Sequence, residues 1–224
     1  MAEAGADLIE IGIPFSDPVA EGGVIQEASM QALAKGVTTD KIFDMVESIR
    51  DKVNIPLVIM TYINPVFVYG YDSFFKRCQE VGITGLIVPD VPYEESEEMI
   101  QAAKPYGVTI ISLIAPTSKQ RIQMIAQGAE GFIYCVSSLG TTGVRKELGA
   151  DIKGLVSAIK EKANVPVAVG FGIGRPDQTK KVAQVADGVI VGSAIVRLIG
   201  EYGSQADEAL AQYVREMKAA MAQK

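Results

Sequence analysis

The chain has 224 residues, with 21 basic and 27 acidic side chains for a formal charge of −6, 48% hydrophobic residues, two cysteines and neither histidine nor tryptophan. That length and apolar share fit a single domain spanning residues 1–224, and an acidic balance without a Lys/Arg run leaves no electrostatic footprint for nucleic acid or an anionic membrane surface. Without histidine, Ser-His-Asp and Cys-His triads and the usual transition-metal sites are excluded, so carboxylates, Tyr, Lys and backbone amides must carry any proton chemistry.

In chain order, Met1 to Asp7 reads as the end of a helix running straight into a strand, Leu8 to Ile13. The loop Pro14 to Gly23 precedes helical patterns over Val24 to Ala34 and Thr39 to Lys52, the latter with Ile42, Met45, Val46 and Ile49 on one face. Strand candidates Leu57 to Tyr62, Leu86 to Val88, Thr109 to Leu113, Phe132 to Val136, Val167 to Gly170 and Gly188 to Val191 follow. They alternate with amphipathic stretches over Asp72 to Glu80, Glu94 to Lys104, Lys119 to Gln127, Ile152 to Lys162 and Pro176 to Gln184. A short apolar helix, Ala194 to Ile199, and a longer one, Asp207 to Ala222, close the chain. The strands are nearly continuous apolar runs, as parallel strands covered on both faces are.

Strict βα alternation with right-handed crossovers predicts an α/β fold of the (β/α)8 barrel kind, with seven recognisable units and the first absent. No apolar stretch approaches the roughly 18 to 20 residues of a membrane span, and Glu3, Asp7 and Glu10 near the start argue against a signal peptide. Cys78 and Cys135 have no CxxC spacing, so reduced core thiols in a cytoplasmic protein are expected, with no metal.

Barrel chemistry sits at the strands' C-terminal ends. Glu10 interrupts the first strand, where burial raises a carboxyl pKa toward the range of a general acid and base; the alternative is a Glu tied to a backbone amide or a Lys. Asp17 and Glu21 lie in the following loop, as catalytic groups, solvated acids or a helix cap. The glycine-rich segments Leu139 to Gly143, Gly170 to Gly174 and Gly192-Ser193 stand where such barrels bind phosphate through backbone N–H groups, although ordinary turns use the same residues. Tyr62 and Tyr134 end strands and face either a ligand or the core, and Arg145 meets an anion or solvent.

These residues resemble the α subunit of tryptophan synthase. The segments EIGIPFSDPVAEGGVIQ (Glu10 to Gln26), GLIVPDVP (Gly85 to Pro92), SSLGTTGVR (Ser137 to Arg145), GFGI (Gly170 to Ile173) and GVIVGSAIV (Gly188 to Val196) stand in the family's order over essentially the whole chain. The resemblance implies retro-aldol cleavage of indole-3-glycerol phosphate to indole and glyceraldehyde 3-phosphate, with no organic cofactor. It also implies an α2β2 assembly with a PLP-dependent β subunit. By position, Glu10 matches the acid/base that protonates the indole carbon bearing the glycerol chain, and Glu21 matches an aspartate that hydrogen-bonds the indole nitrogen. Tyr62, Ile87, Ile114, Tyr134 and Phe171 match pocket positions, and Thr142 matches a mobile-loop threonine. Gly143, Gly172, Gly192 and Ser193 match phosphate-binding positions. Pro14, Asp17, Asn64 and Phe67 match positions at the β-subunit contact.

Departures from the family pattern are Glu21 in place of Asp, Gly23 in place of Pro, Gly174 in place of Ser and the absent first strand and helix. An open barrel of this kind is expected either to be of low stability and self-associate through its sheet edges, or to close by direct pairing of the two edge strands or by a neighbouring molecule that fills the gap. A second implied role is that of a catalytically crippled partner that modulates a β subunit without useful turnover.

Overall fold

A computed structural model describes residues 1–137 and 151–222. Its strands are β1 (Ile9–Gly12), β2 (Leu57–Met60), β3 (Ile83–Ile87), β4 (Thr109–Ile110), β5 (Ser112–Ile114), β6 (Ile133–Val136), β7 (Val167–Gly170) and β8 (Gly188–Val189). All ladders are parallel, in the orders β1-β2-β3-β4 and β5-β6-β7-β8. β4 and β5 are one wall position broken at Ile111, whose N–H donates to Leu86 at 2.9 Å. Eight segments therefore occupy seven places in the wall of an α/β barrel, one for each strand expected from the sequence.

The helices are α1 (Gly23–Ala34), α2 (Thr39–Arg50), α3 (Ile63–Tyr69), α4 (Tyr71–Glu80), α5 (Glu97–Ala103), α6 (Lys119–Gln127), α7 (Ile152–Lys160), α8 (Pro176–Ala183), α9 (Ser193–Tyr202) and α10 (Ala206–Ala222). No described helix is long and apolar enough to cross a membrane. Local sequence explains several starts. Thr38 and Ser118 accept the N–H groups of Lys41 and Arg121 at the beginnings of α2 and α6, and Asp151 accepts from Gly154 at α7. α3 is the one helix absent from the sequence expectation. Its Pro65 is tolerated because the first turn leaves N–H groups without helical partners anyway.

Alternation along the strands sorts side chains into two layers. Leu57, Ile59, Ile83 and Leu86 meet Phe43, Phe74, Phe75 and Cys78 between sheet and helices, and Ile133, Cys135, Val167 and Val169 do the same with Ile122, Val156 and Ile159. Inside the barrel lie Val58, Ile87, Ile111, Tyr134, Val136 and Phe171, joined by Leu8, Met60, Leu113 and Ile190. Gly85 is required where β3 crosses β2, since a Cβ there would sit 2.9 Å from Val58 Cγ1 at the register shift between Leu57 and Val58.

No ladder joins β8 to β1 among the described residues. Both strands at this seam are only partly covered, whereas β2 is buried over Leu57 to Ile59. Outside the seam α1 packs against α9, yet α1 buries no residue fully and α9 buries only Ser193.

Candidate active site

Glu10 reaches the barrel interior by the same alternation that places Leu8 inside, because its neighbours Ile9 and Ile11 pack into the outer layer. Burial, followed by the negative charge of Glu21, pushes its carboxyl up to about 7. A carboxyl poised there exchanges a proton readily near neutral pH. Glu10 also lines a cleft of about 560 Å³ that opens along the seam, so it is not sealed from water.

Glu21 stands at the lip of the same cleft, in the loop between β1 and α1. Its side chain accepts the Tyr62 hydroxyl proton, and the Tyr62 oxygen accepts the Ala20 N–H at 2.9 Å. Burial raises the Glu21 carboxyl, the Tyr62 hydrogen bond opposes the rise, and the charge of Asp90 adds to it. Gln26 steadies the loop further by donating its amide to the Glu21 carbonyl at 2.8 Å. Phe15 lies against Tyr62 with ring centroids 5.4 Å apart.

Tyr134 is buried on the opposite wall, its hydroxyl held well above the usual tyrosine range by burial and by the charge of Glu10. Its ring lies directly over Gly170, where a Cβ would come within 2.7 Å of it. Phe171 crosses Tyr134 nearly at right angles and is the one described non-glycine residue with positive φ, 69°. Ser137 holds that turn by donating its hydroxyl to the Phe171 carbonyl at 2.5 Å. Gly172 follows with φ 88°, and Gly192 and Ser193 begin α9. All three line the cleft that contains Glu10 and Glu21, at a helix N-terminus suited to an anion.

The cleft thus brings together Glu10, Glu21, Tyr134, Phe171, Gly172, Gly192 and Ser193. Tyr62 acts on it through Glu21, and Ile87 lies in the interior cluster with Tyr134 and Phe171. Ile114 does not belong: it is buried in the layer between sheet and helices with Ile122 and Ile133, and its neighbours Leu113 and Ala115 face inward instead. Thr142, Gly143 and Arg145 lie outside the described residues. Pro14 and Asp17 lie in the loop after β1, and Asn64 and Phe67 on α3 after the adjacent β2. That end also exposes Val19, Phe67 and Val68, at 70%, 68% and 77%. A second cleft of about 620 Å³ beside α5 and α6 touches Phe171 but neither acid.

Sequence reading missed Asp90, whose carboxylate accepts the Ile63 N–H at 3.0 Å, and Met60 and Ile190, which line the cleft. The run Val88-Pro89-Asp90 straight after β3 is the local signal for Asp90, since an acid at a strand's C-terminal end in a barrel faces the functional side.

Residues 1–223 match the family described as "Tryptophan synthase alpha chain". The tryptophan synthase alpha chain of Lacticaseibacillus casei is 50% identical over 221 residues, covering 99% of this chain and 83% of that protein. That of Lactiplantibacillus plantarum is 50% identical over 222 residues, covering 99% and 84%. Among solved structures, the tryptophan synthase subunit alpha of Legionella pneumophila superposes with a TM-score of 0.88 at 36% identity, covering 99% of this chain and 84% of that one. A chain from the tryptophan synthase a2b2 complex of Pyrococcus furiosus gives 0.88 at 35% identity, covering 97% and 88%.

Proposed function

The chain belongs to the tryptophan synthase alpha chain family, and from that premise we propose how its own residues perform the family's reaction. It is an alpha-type lyase of tryptophan biosynthesis that cleaves indole-3-glycerol phosphate. Glu10, protonated near neutral pH, gives its proton to the indole carbon that carries the glycerol chain. The ring becomes an indolenine whose nitrogen is positively charged, and Glu21 stabilises that charge from the loop. Breaking the carbon–carbon bond returns its electron pair to the ring and releases indole. The Glu10 carboxylate takes the proton from the adjacent hydroxyl, which becomes the aldehyde of glyceraldehyde 3-phosphate. One carboxyl therefore serves as acid and then as base, the task a pKa of about 7 suits.

The observation that carries this reading is the shared cleft: two carboxyls, Tyr134 and Phe171 for an aromatic ring, and Gly172, Gly192 and Ser193 for a phosphate. Tyr62, through its hydrogen bond to Glu21, and Ile87, beside Tyr134 and Phe171, complete the pocket. An indole-release assay with and without a β subunit tests it; no release under either condition favours the crippled-partner role instead. The β subunit docks at the end formed by Pro14, Asp17, Asn64 and Phe67, where Val19 and Val68 supply exposed apolar surface for an α2β2 assembly. The buried free thiols of Cys78 and Cys135 suit the reducing cytoplasm.

Soaking with inorganic phosphate should place density among the N–H groups of Gly172, Gly192 and Ser193. Density elsewhere would count against the phosphate assignment.

Glu21→Asp should raise the lyase rate. A misplacement of about 1 Å can cost on the order of 100-fold, and the shorter acid returns to the length the family uses. Adding Gly23→Pro should raise it further, because Gly23 opens α1, where Pro fits, and nothing lies within 4 Å of a Cβ built there. The sites are close enough to couple, so the gains need not add. Rates unchanged or lower in both variants would locate the limitation elsewhere.

A further inference from the structure

We propose that Asp90 is a positioning residue for the loop acid, holding Glu21 in place through the start of α3 and the Tyr62 hydroxyl. α3 begins at the end of β2 without a cap of its own: Tyr62 occupies the N-cap position and its phenol accepts no bond from the helix. Asp90, in the loop after β3, supplies the cap from the neighbouring unit, its two carboxylate oxygens 3.0 and 3.3 Å from the Ile63 nitrogen. That bond fixes the backbone at which Tyr62 leaves the strand in an extended conformation, φ −98° and ψ 163°.

From there the Tyr62 ring spans to the loop after β1, taking the Ala20 N–H and giving its own proton to Glu21. Asp90, Ile63, Tyr62 and Glu21 thus form a continuous line from β3 across β2 to β1, at the C-terminal ends where the barrel does its chemistry. Removing the first link loosens α3, and with it the phenol that holds the acid. The charged and titratable groups facing Glu21 are Glu10 from β1, Tyr62 at the start of α3 and Asp90 after β3. Asp90 therefore acts twice, as an anchor and as a negative charge that favours the protonated form of Glu21.

The proposal rests on the assignment of Glu21 to the lyase reaction, and two readouts separate their failures. Asp90→Ala removes both anchor and charge, whereas Asp90→Asn keeps an acceptor for Ile63 and removes only the charge. In the indole-release assay Asp90→Ala should lower kcat about 10-fold or more with little change in KM, and Asp90→Asn should retain most of it. Combined with Tyr62→Phe, the Asp90→Ala loss should be less than additive, because both changes cut one line. NMR titration of the Glu21 carboxyl, assigned by its loss in Glu21→Gln, reads the same coupling without turnover. Asp90→Asn should move the Glu21 midpoint to lower pH, and in Asp90→Ala it should lie above that of Asp90→Asn, since the Tyr62 bond is lost as well. A Glu21 midpoint identical in all three proteins, or kcat losses equal in Asp90→Ala and Asp90→Asn, would reduce Asp90 to a plain helix cap and overturn the proposal. An inactive wild type whose Glu21 titration still follows this pattern would instead overturn the lyase assignment and leave the positioning line intact.

Discussion

Glu10→Gln is expected to lower kcat/KM for indole release by about 100-fold to 10,000-fold, the usual contribution of a general acid/base. It should also make the protein more stable above pH 7. Both effects have one cause. The folded protein holds the Glu10 carboxyl at about 7, above its ordinary 4.5, because burial and the Glu21 charge disfavour the carboxylate. At pH 4 and below, the carboxyl is largely protonated in both folded and unfolded chains and costs nothing. As the pH rises through 4.5 the unfolded chain releases the proton while the folded chain keeps it, so stability falls until the pH passes about 7 and then levels off. That rise corresponds to about 3 kcal/mol at most, reduced by water reaching Glu10 through the seam. Gln keeps the shape without that cost. Its melting temperature should exceed the wild type's by up to roughly 6 to 12 °C at pH 8, and the gain should shrink steadily toward pH 4. Wild-type turnover in the variant would refute the assigned role, and a gain independent of pH would refute the ionisation argument.

Glu10 was legible in the sequence because a charge within an apolar strand is costly unless it has a partner or a task, and strand alternation puts it on one definite face. The parallel strands were legible for a related reason: each is apolar on both faces, which the two packed layers require. That continuity hides the phase of a strand, however. From Ile111 to Ala115 every second residue faces inward, but a run of apolar residues interrupted only by Ser112 does not say which, and Ile114 proves to be on the helix side. α3 and the role of Tyr62 were hidden differently. The cap that starts α3 comes from Asp90, 27 residues further along the chain, so no local pattern announces it. Phe171 likewise adopts positive φ against its own preference, within a turn that Ser137 secures from just beyond the end of β6.

A polypeptide of these 224 residues, with no ladder between β8 and β1 among the described residues, should associate with itself as its concentration rises, and closing the seam should suppress this. Ile9 and Ile13 donate to Pro56 and Met60 at 3.1 and 3.0 Å, so alternation in a parallel strand turns the backbone groups of Glu10 and Gly12 toward the seam. On the other side Ile190 donates to Val169 at 2.8 Å, which turns the groups of Val189 and Val191 the same way. Two parallel edges with apolar side chains, flanked by the poorly buried helices α1 and α9, form a template for another strand. A family-like first strand and helix of about 30 to 40 residues, fused ahead of Met1, should occupy that gap. With about 1 kcal/mol for each of the four edge residues newly paired, the gain is about 4 kcal/mol, or a melting temperature roughly 8 to 16 °C higher. Sedimentation across a concentration series should show oligomers in the chain as it stands and a monomer in the fusion. If the unfused chain is monomeric at every concentration and the fusion melts no higher, then the contact between α1 and α9 already seals the wall, and the edges are not free to pair.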